Sequence, residues 1–318
     1  MAEILKHYAN LHMHSTHSDG FYSPDELARL AKKIGYGAIA LTDHDTVSGN
    51  PIMKSECEAI GLDYIFGSEF YARLEDGGRI VHMTGYGFDP EYPQIKDHIR
   101  KMGKKYSTQT MLLFERAVSV GEIKGICWDE VCKYNEGIGW LVFSHVFNAM
   151  KAKGLITDKE REGLKERCFS SELKRKLPSE YDYPCVKDMI SHVHNAGGII
   201  LFAHPHGLLE QVKELTRVGL DGLEVWHGDL DAEERRQALT VARDHGLFVS
   251  GGDDHSGLLG GQYYRFEHPE ETKYFFPPLS LGTTKYFFEE IRDMKCSSDR
   301  RDVMDEMLKN DSIWIRTK

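Results

Sequence analysis

The stretch HYANLHMHSTHSDGFYSPDELARLAKKIGYGAIALTDHD (residues 7–45) contains two strand-like segments that flank one helix-like segment. The helix-like segment has Ser23 as its N-cap, Pro24 at its first helical position and Gly35 as its stop. The flanking segments are short and largely apolar, which is typical of buried strands. A strand, a helix and a second strand in this order predict two parallel strands joined by a right-handed crossover. The stretch therefore predicts an α/β fold.

The same pattern recurs further along the chain. Five more short apolar segments follow: LDYIFGSEF (62–70), RIVHMTGYG (79–87), GIILFAHPH (198–206), DGLEVWH (221–227) and LFVSGGDDHS (247–256). Two of the helical patterns, YPCVKDMISHVHNAGG and AEERRQALTVARDHG, have Gly197 and Gly246 as their C-caps. Seven strands are roughly what a closed or nearly closed parallel barrel needs.

Side chains that bind protons and metals stand at the ends of these segments. If the alternation of the first strand continues through LHMH, His12 and His14 point to the same side of the sheet. In a parallel barrel the chemistry lies at the carboxyl ends of the strands, and each of the segments carries a His, Asp or Glu there. A histidine pair on one face, followed by Asp19 in a glycine-bearing turn, favours a metal site over isolated core histidines.

The composition is that of an ordinary soluble protein. The chain has 318 residues, of which 41% are hydrophobic and 28% are charged, and its net charge is -10. This acidic balance argues against a general nucleic-acid or membrane-surface binder. The six cysteines form no CxxC pair, which indicates reduced thiols, and neither a signal pattern nor a membrane-length apolar stretch is found. We expect a cytoplasmic protein without a membrane partner, and the oligomeric state stays open.

We predict three parts along the chain. Residues 1–100 form the first part of the barrel, and residues 181–318 form its second part with an aromatic C-terminal extension. Residues 101–180 are rich in charged, helix-like sequence, and a structureless loop of that length is improbable. We therefore predict a small helical insertion over the barrel mouth. The extension, YYRFEHPEETKYFFPPL and then TTKYFFEEIRDM, is interpreted as packing against a barrel flank or edge, with contact to a substrate or a second subunit as the alternative.

Six of the motifs also resemble a known family. HMHSTHSDG, ALTDHDTVSG, GSEF, VHMTGYG, FAHP and SGGDDHS occur in the order and strand-end positions of the PHP (polymerase and histidinol phosphatase) family. The chain resembles the small-molecule phosphoesterases of that family, and the resemblance spans the barrel segments and, loosely, the insertion. It implies a distorted seven-stranded (β/α) barrel that holds up to three divalent metals and hydrolyses phosphate esters.

The resemblance implies nine metal ligands. One metal is held by His12, His14, Glu69 and Asp253; Glu69 bridges to a second, which His82 and His204 complete; Asp19, His44 and His255 hold the third. Nitrogen and oxygen ligands without a thiolate suit about two to three ions of manganese, iron or zinc. Metals held this close make hydroxide available at neutral pH and clamp phosphoryl oxygens, so Glu69 and Asp253 are also expected to be catalytic.

Four further roles concern the substrate. His206 and His227, at two other strand ends, are candidate catalytic groups that protonate a leaving group or contact phosphate; solvated strand ends are the alternative. His145 and His204 are candidate substrate-binding residues. The phosphoesterases that the chain resembles carry Arg-Pro-His where this sequence has Phe143, Ser144 and His145. The missing guanidinium predicts a less cationic pocket and puts a nucleoside bisphosphate substrate in doubt.

The sequence thus predicts a metal-dependent phosphoesterase that acts on a small phosphorylated metabolite by attack of a metal-bridging hydroxide. The substrate is expected to be a nucleotide or a sugar phosphate, including a cyclic phosphodiester cleaved in sequential steps. The alternatives are a 5′–3′ exonuclease acting on short oligonucleotide ends, a histidinol-phosphate phosphatase and a non-catalytic metal-binding regulatory module. An exonuclease needs a basic track or stacking aromatics, whereas KMGKKY and ELKRKL are interpreted as solvated helix faces. The complete ligand set argues against the regulatory module.

Overall fold

The computed structural model describes residues 6–74, 78–254 and 281–310. Its strands are β1 (His7–Asn10), β2 (Ala38–Leu41), β3 (Asp63–Arg73), β4 (Ile80–Tyr86), β5 (Ile199–Phe202), β6 (Gly222–Trp226), β7 (Phe248–Gly251) and β8 (Thr283–Thr284). They form one sheet in the order β7-β6-β5-β4-β3-β2-β1-β8. The sheet curls until its edges meet: the Leu11 N–H donates to the Gly251 carbonyl at 3.0 Å. The predicted α/β barrel is confirmed, with the short β8 as a strand beyond the predicted seven.

β4 departs from the predicted parallel arrangement. It runs antiparallel to both β3 and β5, whereas β1, β2 and β3, and likewise β5, β6 and β7, are parallel. The reason lies in the connection, because residues 74–79 are too few to form a crossover. The amino end of β4 therefore lies at the same barrel edge as the carboxyl ends of the parallel strands. This places His82, near the start of β4, at the barrel mouth.

Helices cover the barrel and form the insertion. In chain order they are α1 (Pro24–Ile34), α2 (Asn50–Ile60), α3 (Pro93–Ser119), α4 (Trp128–Tyr134), α5 (Phe143–Ala152), α6 (Asp158–Cys168), α7 (Ser171–Arg175), α8 (Val186–Asn195), α9 (Leu209–Leu215), α10 (Ala232–His245), α11 (Lys285–Asp293) and α12 (Arg300–Lys309). The ends of α1 are those that its sequence predicts: the Ser23 N–H donates to the Glu26 carboxylate at 2.9 Å, and Gly35 takes a left-handed conformation with φ of 108°.

The insertion, α3 to α7, has a hydrophobic core of its own. The first turns of α3 pack into the barrel core through Ile95, but Leu113 and Phe114 pack with Val146 and Phe147 of α5. α3 is therefore one continuous helix that begins in the barrel and ends in the insertion. Helices α3 to α7 thus lie between Pro93 and Arg175, and the division of the chain at residues 100 and 180 stays a prediction.

α11 covers the amino-terminal end of the barrel. Its Phe288 and Ile291 share a buried cluster with Ala38, Ile199 and Phe248, which stand at the starts of their strands. This agrees with the packing interpretation of TTKYFFEEIRDM, whereas YYRFEHPEETKYFFPPL lies outside the described residues. Within the described part of the chain, no helix has the length and apolar character that crossing a membrane requires.

Candidate metal centre

Glu69 is the centre of the barrel mouth. It lies in the middle of β3, where an isolated bridge joins it to His44 beyond the end of β2. Its buried carboxylate is approached by ring nitrogens of His12 (3.2 Å), His14 (3.2 Å), His44 (2.9 Å), His82 (3.0 Å) and His204 (3.2 Å). Burial opposes the ionisation of Glu69, but the surrounding imidazoles outweigh it and hold its pKa well below the usual range.

The strands explain why these histidines converge. His12 and His14 follow β1 two residues apart, and their ring centroids lie 5.3 Å from each other, so the predicted shared face is observed. Burial lowers the pKa of His12, yet the carboxylates of Glu69 and Glu224 raise it well above its usual value. The mouth therefore carries a strong negative field that attracts cations, whether protons or metal ions.

The described residues contain four groups of possible ligand atoms. Within each group, the atoms lie within 4.8 Å of one another. They are His12, His14, Glu69 and Asp254; His12, Glu224 and His227; His14, Asp19 and His44; and His44, Glu69 and His82. The groups share members, so one continuous centre is formed rather than separate sites. His204 adjoins it through Glu69, and His255 lies outside the described residues.

Asp254, and not Asp253, belongs to the groups of possible ligand atoms, although Asp253 Oδ2 is also buried without a hydrogen-bond partner in the described residues. The Asp253 carboxylate accepts a hydrogen bond from the Asn10 amide at 2.7 Å. Asp254 Oδ1 lies 2.9 Å from His14 Nε2 and 3.7 Å from His12 Nε2. The prediction took the first aspartate of GGDDHS, but Asp254 has a left-handed backbone with φ of 48°, which breaks the alternation of a strand. Asp254 is therefore the aspartate that the described structure places among the possible ligand atoms, and the assignment of Asp253 as a ligand stays a prediction.

Glu224 was missed by the sequence analysis. It is buried on β6, both of its carboxylate oxygens lie 3.2 Å from His12 Nδ1, and it accepts the His204 backbone N–H at 2.9 Å. A carboxylate behind an imidazole holds the proton on Nδ1 and leaves the Nε2 lone pair free for a metal. The available signal was a glutamate inside DGLEVWH, a segment otherwise apolar between its ends.

His227 has the opposite tautomer. Its Nδ1 accepts a hydrogen bond from the Asp229 backbone N–H at 3.1 Å, so the proton of the neutral ring resides on Nε2. This Nε2 lies 3.4 Å from Asp254 Oδ2, at the edge of the centre. His227 is therefore arranged as a hydrogen-bond donor rather than as a metal ligand.

His206 and His145 do not reach the centre. The His206 side chain is 65% exposed and pairs with Glu234 of α10 at 2.6 Å. His145 is buried, its Nδ1 accepts the Val142 N–H at 2.9 Å, and its Nε2 donates to the Thr16 carbonyl at 3.0 Å. Because both ring nitrogens are engaged, His145 has none free for a phosphate. The hydrogen bond from His145 to Thr16 connects the insertion to the loop that follows β1.

The environment of His145 predicts acid sensitivity. Burial lowers its pKa to about 4, so between pH 6.5 and 4 the unfolded chain binds a proton that the native state rejects. Stability is therefore lost as the pH falls through this window. A glutamine at this third position of α5 can still accept the Val142 N–H without titrating. We expect wild type to lose about 2 kcal/mol more unfolding free energy than His145→Gln between pH 7 and pH 5, measured by denaturant unfolding. Equal losses in both proteins would contradict this.

Two aspartates beside His44 position the neighbouring segments. Asp43 accepts hydrogen bonds from the Ser15 N–H at 2.7 Å, the Ser15 hydroxyl at 2.7 Å and the Ser18 hydroxyl at 2.5 Å. Asp45 accepts from His98 Nε2 at 2.6 Å. Asp43 thereby fixes the loop that carries Asp19.

Many polar atoms of the centre are buried and lack a hydrogen-bond partner within the described residues. They are His12 Nε2, both ring nitrogens of His14, His44 Nδ1, Asp19 Oδ1 and Glu69 Oε2. Leaving such a group without a partner costs about 1–3 kcal/mol, so this concentration of them needs an explanation. Imidazole nitrogens and carboxylate oxygens that converge without meeting hydrogen-bond geometry fit divalent metal ions. The residues present therefore suit the expected metals.

A nearly closed α/β barrel with this cluster at its mouth defines a metal-dependent hydrolase of phosphate esters. The PHP domain family matches residues 10–217, and the chain belongs to this family. Among solved structures, a protein from Bifidobacterium adolescentis assigned as a metal-dependent phosphoesterase superimposes with a TM-score of 0.70. It is 28% identical, and the match covers 93% of this chain and 99% of that one.

Curated relatives have different substrates. The 5′-3′ exoribonuclease Rnm of Salmonella typhimurium is 27% identical over 77% of this chain and 84% of its own length. The phosphoribosyl 1,2-cyclic phosphate 1,2-diphosphodiesterase of Eggerthella lenta is 23% identical over 79% and 95%. The 3′,5′-nucleoside bisphosphate phosphatase of Chromobacterium violaceum is 25% identical over 80% and 89%.

Proposed function

We propose that this protein hydrolyses a phosphate ester of a small phosphorylated metabolite with about two to three divalent ions held around Glu69. The observation that carries the proposal is the convergence of buried, unpartnered imidazole and carboxylate atoms on one point of the barrel mouth. Nucleotides and sugar phosphates are the substrate classes that the relatives support.

The roles of the residues follow from their contacts. His12, His14, His44, His82, His204, Asp19, Glu69 and Asp254 would hold the ions. Bound there, divalent ions supply hydroxide from water at neutral pH and neutralise phosphoryl oxygens. Glu224 fixes the tautomer of His12, and Asp43 fixes the loop of Asp19. His227 holds a proton at Nε2, from which it can donate a hydrogen bond to a phosphoryl or leaving-group oxygen.

The assay that tests the proposal is hydrolysis by manganese-loaded protein, followed as released phosphate for the monoesters and by chromatography of the products for the cyclic phosphate and the oligoribonucleotide. The panel contains a 3′,5′-bisphosphorylated nucleoside, a ribose 1,2-cyclic phosphate bearing a 5-phosphate, histidinol phosphate and a short 5′-phosphorylated oligoribonucleotide. We expect metal-dependent turnover of at least one small phosphate ester. A folded, metal-loaded protein that hydrolyses none of them would contradict the proposal and favour a non-catalytic module.

A second candidate function is 5′–3′ exonuclease action. The half-buried Tyr71 adjoins the centre, with its ring centroid 4.8 Å from that of His44. An accessible aromatic ring beside a site favours nucleic-acid ends, because a base can stack on it. In the panel, preference for the oligoribonucleotide over every small ester would support this alternative.

The hydrogen-bond donor role of His227 predicts a dependence on the leaving group. His227→Leu should lower kcat about 10²-fold on a substrate with an alkyl alcohol leaving group, because the hydrogen bond to the charge that develops on the leaving oxygen is lost. The loss should be much smaller on p-nitrophenyl phosphate, whose leaving group spreads that charge over its own ring. His206→Leu is the matched control and should change neither rate, since His206 lies outside the centre. Equal losses on both substrates with His227→Leu would show that His227 binds metal or the ground-state substrate instead.

A further inference from the structure

The ligand group of His14, Asp19 and His44, here called the Asp19 group, depends on two loops. Asp19 lies in the loop that follows β1, and His44 lies in the segment beyond the end of β2. Its atoms are widely spaced, because His14 Nδ1 and His44 Nε2 lie 3.9 Å and 3.8 Å from the Asp19 carboxylate. The separation of Asp19 from His44 is therefore set by the contacts that hold these two loops.

The loop after β2 is held by a histidine of α3. His98 Nε2 donates to Asp45 Oδ1 at 2.6 Å, and both side chains are buried. Asp45 Oδ1 also accepts the Tyr71 N–H at 3.2 Å, and the Asp45 N–H donates to the Glu69 carbonyl at 2.8 Å. Asp45 has a left-handed backbone with φ of 46°, a conformation that most non-glycine residues avoid. The hydrogen bond from His98 thus helps to fix the residue that follows His44.

The loop after β1 is held by a histidine of α5. The buried His145 donates from Nε2 to the Thr16 carbonyl at 3.0 Å. The Thr16 N–H in turn donates to the Tyr22 carbonyl at 2.9 Å, which closes the loop around Asp19. A contact at Thr16 therefore positions the whole loop, including its carboxylate.

The two histidines belong to helices that pack on each other. The far end of α3 shares the hydrophobic core of the insertion with α5. The Thr110 hydroxyl of α3 also donates to the Leu141 carbonyl, two residues before α5, at 3.0 Å. Both loops of the Asp19 group are thus attached to one packed pair of helices.

The middle of α3 is fixed against the barrel as well. Tyr106 packs on Tyr71 of β3 with a centroid distance of 5.8 Å, and its hydroxyl lies 2.7 Å from that of Tyr183. Lys105 is only 8% exposed, and its Nζ lies 3.4 Å from the ring centroid of Tyr183. KMGKKY is therefore not a solvated helix face at this lysine, and that interpretation is wrong there. Between His98 and the insertion core, α3 has a defined place on the barrel.

We propose that His98 and His145 are positioning residues, through which the insertion holds Asp19 and His44 at the separation that one metal ion requires. The inference rests on the proposed function, because it concerns one of the ions that this function needs. Loss of either histidine should weaken the binding of that ion and leave the remaining ions bound. Removing a residue that orients a metal ligand typically costs about 10- to 100-fold in metal affinity.

Metal binding without substrate tests the inference. Metal-stripped wild type, His98→Leu and His145→Gln are titrated with Mn²⁺ by calorimetry, and bound metal is counted by elemental analysis. The glutamine at position 145 keeps the contact to Val142 but has no second ring nitrogen for Thr16. We expect each variant to bind one ion about 10- to 100-fold more weakly than wild type and the other ions with unchanged affinity.

Two further variants identify the ion and the contact. Asp19→Asn removes a ligand of the Asp19 group directly, so its combination with His98→Leu should lose no ion beyond the one that Asp19→Asn loses. His98→Gln should bind all ions as wild type does, because its amide N–H can reach Asp45 from the position of Nε2. A purely structural role of His98 predicts neither result.

His194→Leu is the matched control, because it removes a histidine–aspartate hydrogen bond of the same kind, to Asp221 at 2.7 Å, away from the centre. It should keep every ion. Thermal unfolding of the metal-free proteins checks the fold, and where His98→Leu is unfolded, His98→Asn, whose amide is too short to reach Asp45, takes its place.

Wild-type affinity for every ion in the folded variants, or equal weakening of all ions, would overturn the inference. Either result would leave metal-dependent hydrolysis by the wild type intact. Selective loss of one ion in a protein that hydrolyses no phosphate ester would instead support the positioning role and contradict the proposed function.

Discussion

Glu69→Gln should lower phosphate release by more than about 10³-fold while the fold survives. The carboxylate lies within 3.2 Å of ring nitrogens from five histidines. Its negative charge would balance the positive charge of the ions that this centre binds. Removing one partner from a buried charged set costs about 3–5 kcal/mol. A neutral amide keeps the shape of the side chain but cannot balance the charge of the ions. The measurement is phosphate release together with metal content by elemental analysis and thermal unfolding of the metal-free proteins.

Glu58→Gln is the matched control, because Glu58 is an exposed residue of α2 that contacts only Lys54 among its charged neighbours in the described chain. It should leave activity and metal content unchanged. Near-wild-type turnover by Glu69→Gln with full metal content would show that Glu69 does not hold the ions. Loss of the folded state in both variants would be inconsistent with a local electrostatic effect.

Asp254→Asn should reduce the metal content and should lower turnover on the order of 10³-fold. Asp253→Asn should affect both quantities far less. Asp254 lies against His12 and His14, whereas Asp253 accepts a hydrogen bond from Asn10. Loss of the Asp254 charge leaves buried imidazoles and ions without a counter-charge. Elemental analysis and phosphate release on both variants decide between the two neighbours.

The pair is its own control, because the two substitutions remove the same charge one residue apart. If Asp253→Asn lost the metals and Asp254→Asn kept them, the assignment made from the sequence would be right and the left-handed conformation at Asp254 would not be the functional one. Equal losses would indicate that both carboxylates serve the centre.

The sequence predicted the barrel because the helix caps and apolar strands are local signals. It did not predict the direction of β4, since a short apolar segment such as RIVHMTGYG has the same hydrophobic pattern in a parallel and in an antiparallel strand. It also did not predict β8, because Thr283–Thr284 is too short to show any periodicity. These features depend on the length of a connection and on closure of the sheet.

The candidate site was predictable where a ligand belongs to a motif and not where its role depends on a neighbour from another element. His12, His14, His44 and Glu69 converge as the motifs imply. Glu224 acts through His12 on a different strand, so only the fold reveals it. His145 was assigned to substrate binding from the family resemblance, and its hydrogen bond to the Thr16 carbonyl was not predictable because Thr16 is distant in sequence.

Titration of metal-stripped protein with Mn²⁺ tests most directly whether the barrel mouth is a hydrolytic metal centre. Bound metal and the rate of phosphate release are followed in the same samples of wild type and Glu69→Gln. We expect the wild-type rate to rise from zero in step with bound metal and to level off at about two to three ions per chain, with neither response in Glu69→Gln. Undiminished hydrolysis by the stripped protein, or equal metal binding by Glu69→Gln, would contradict the account.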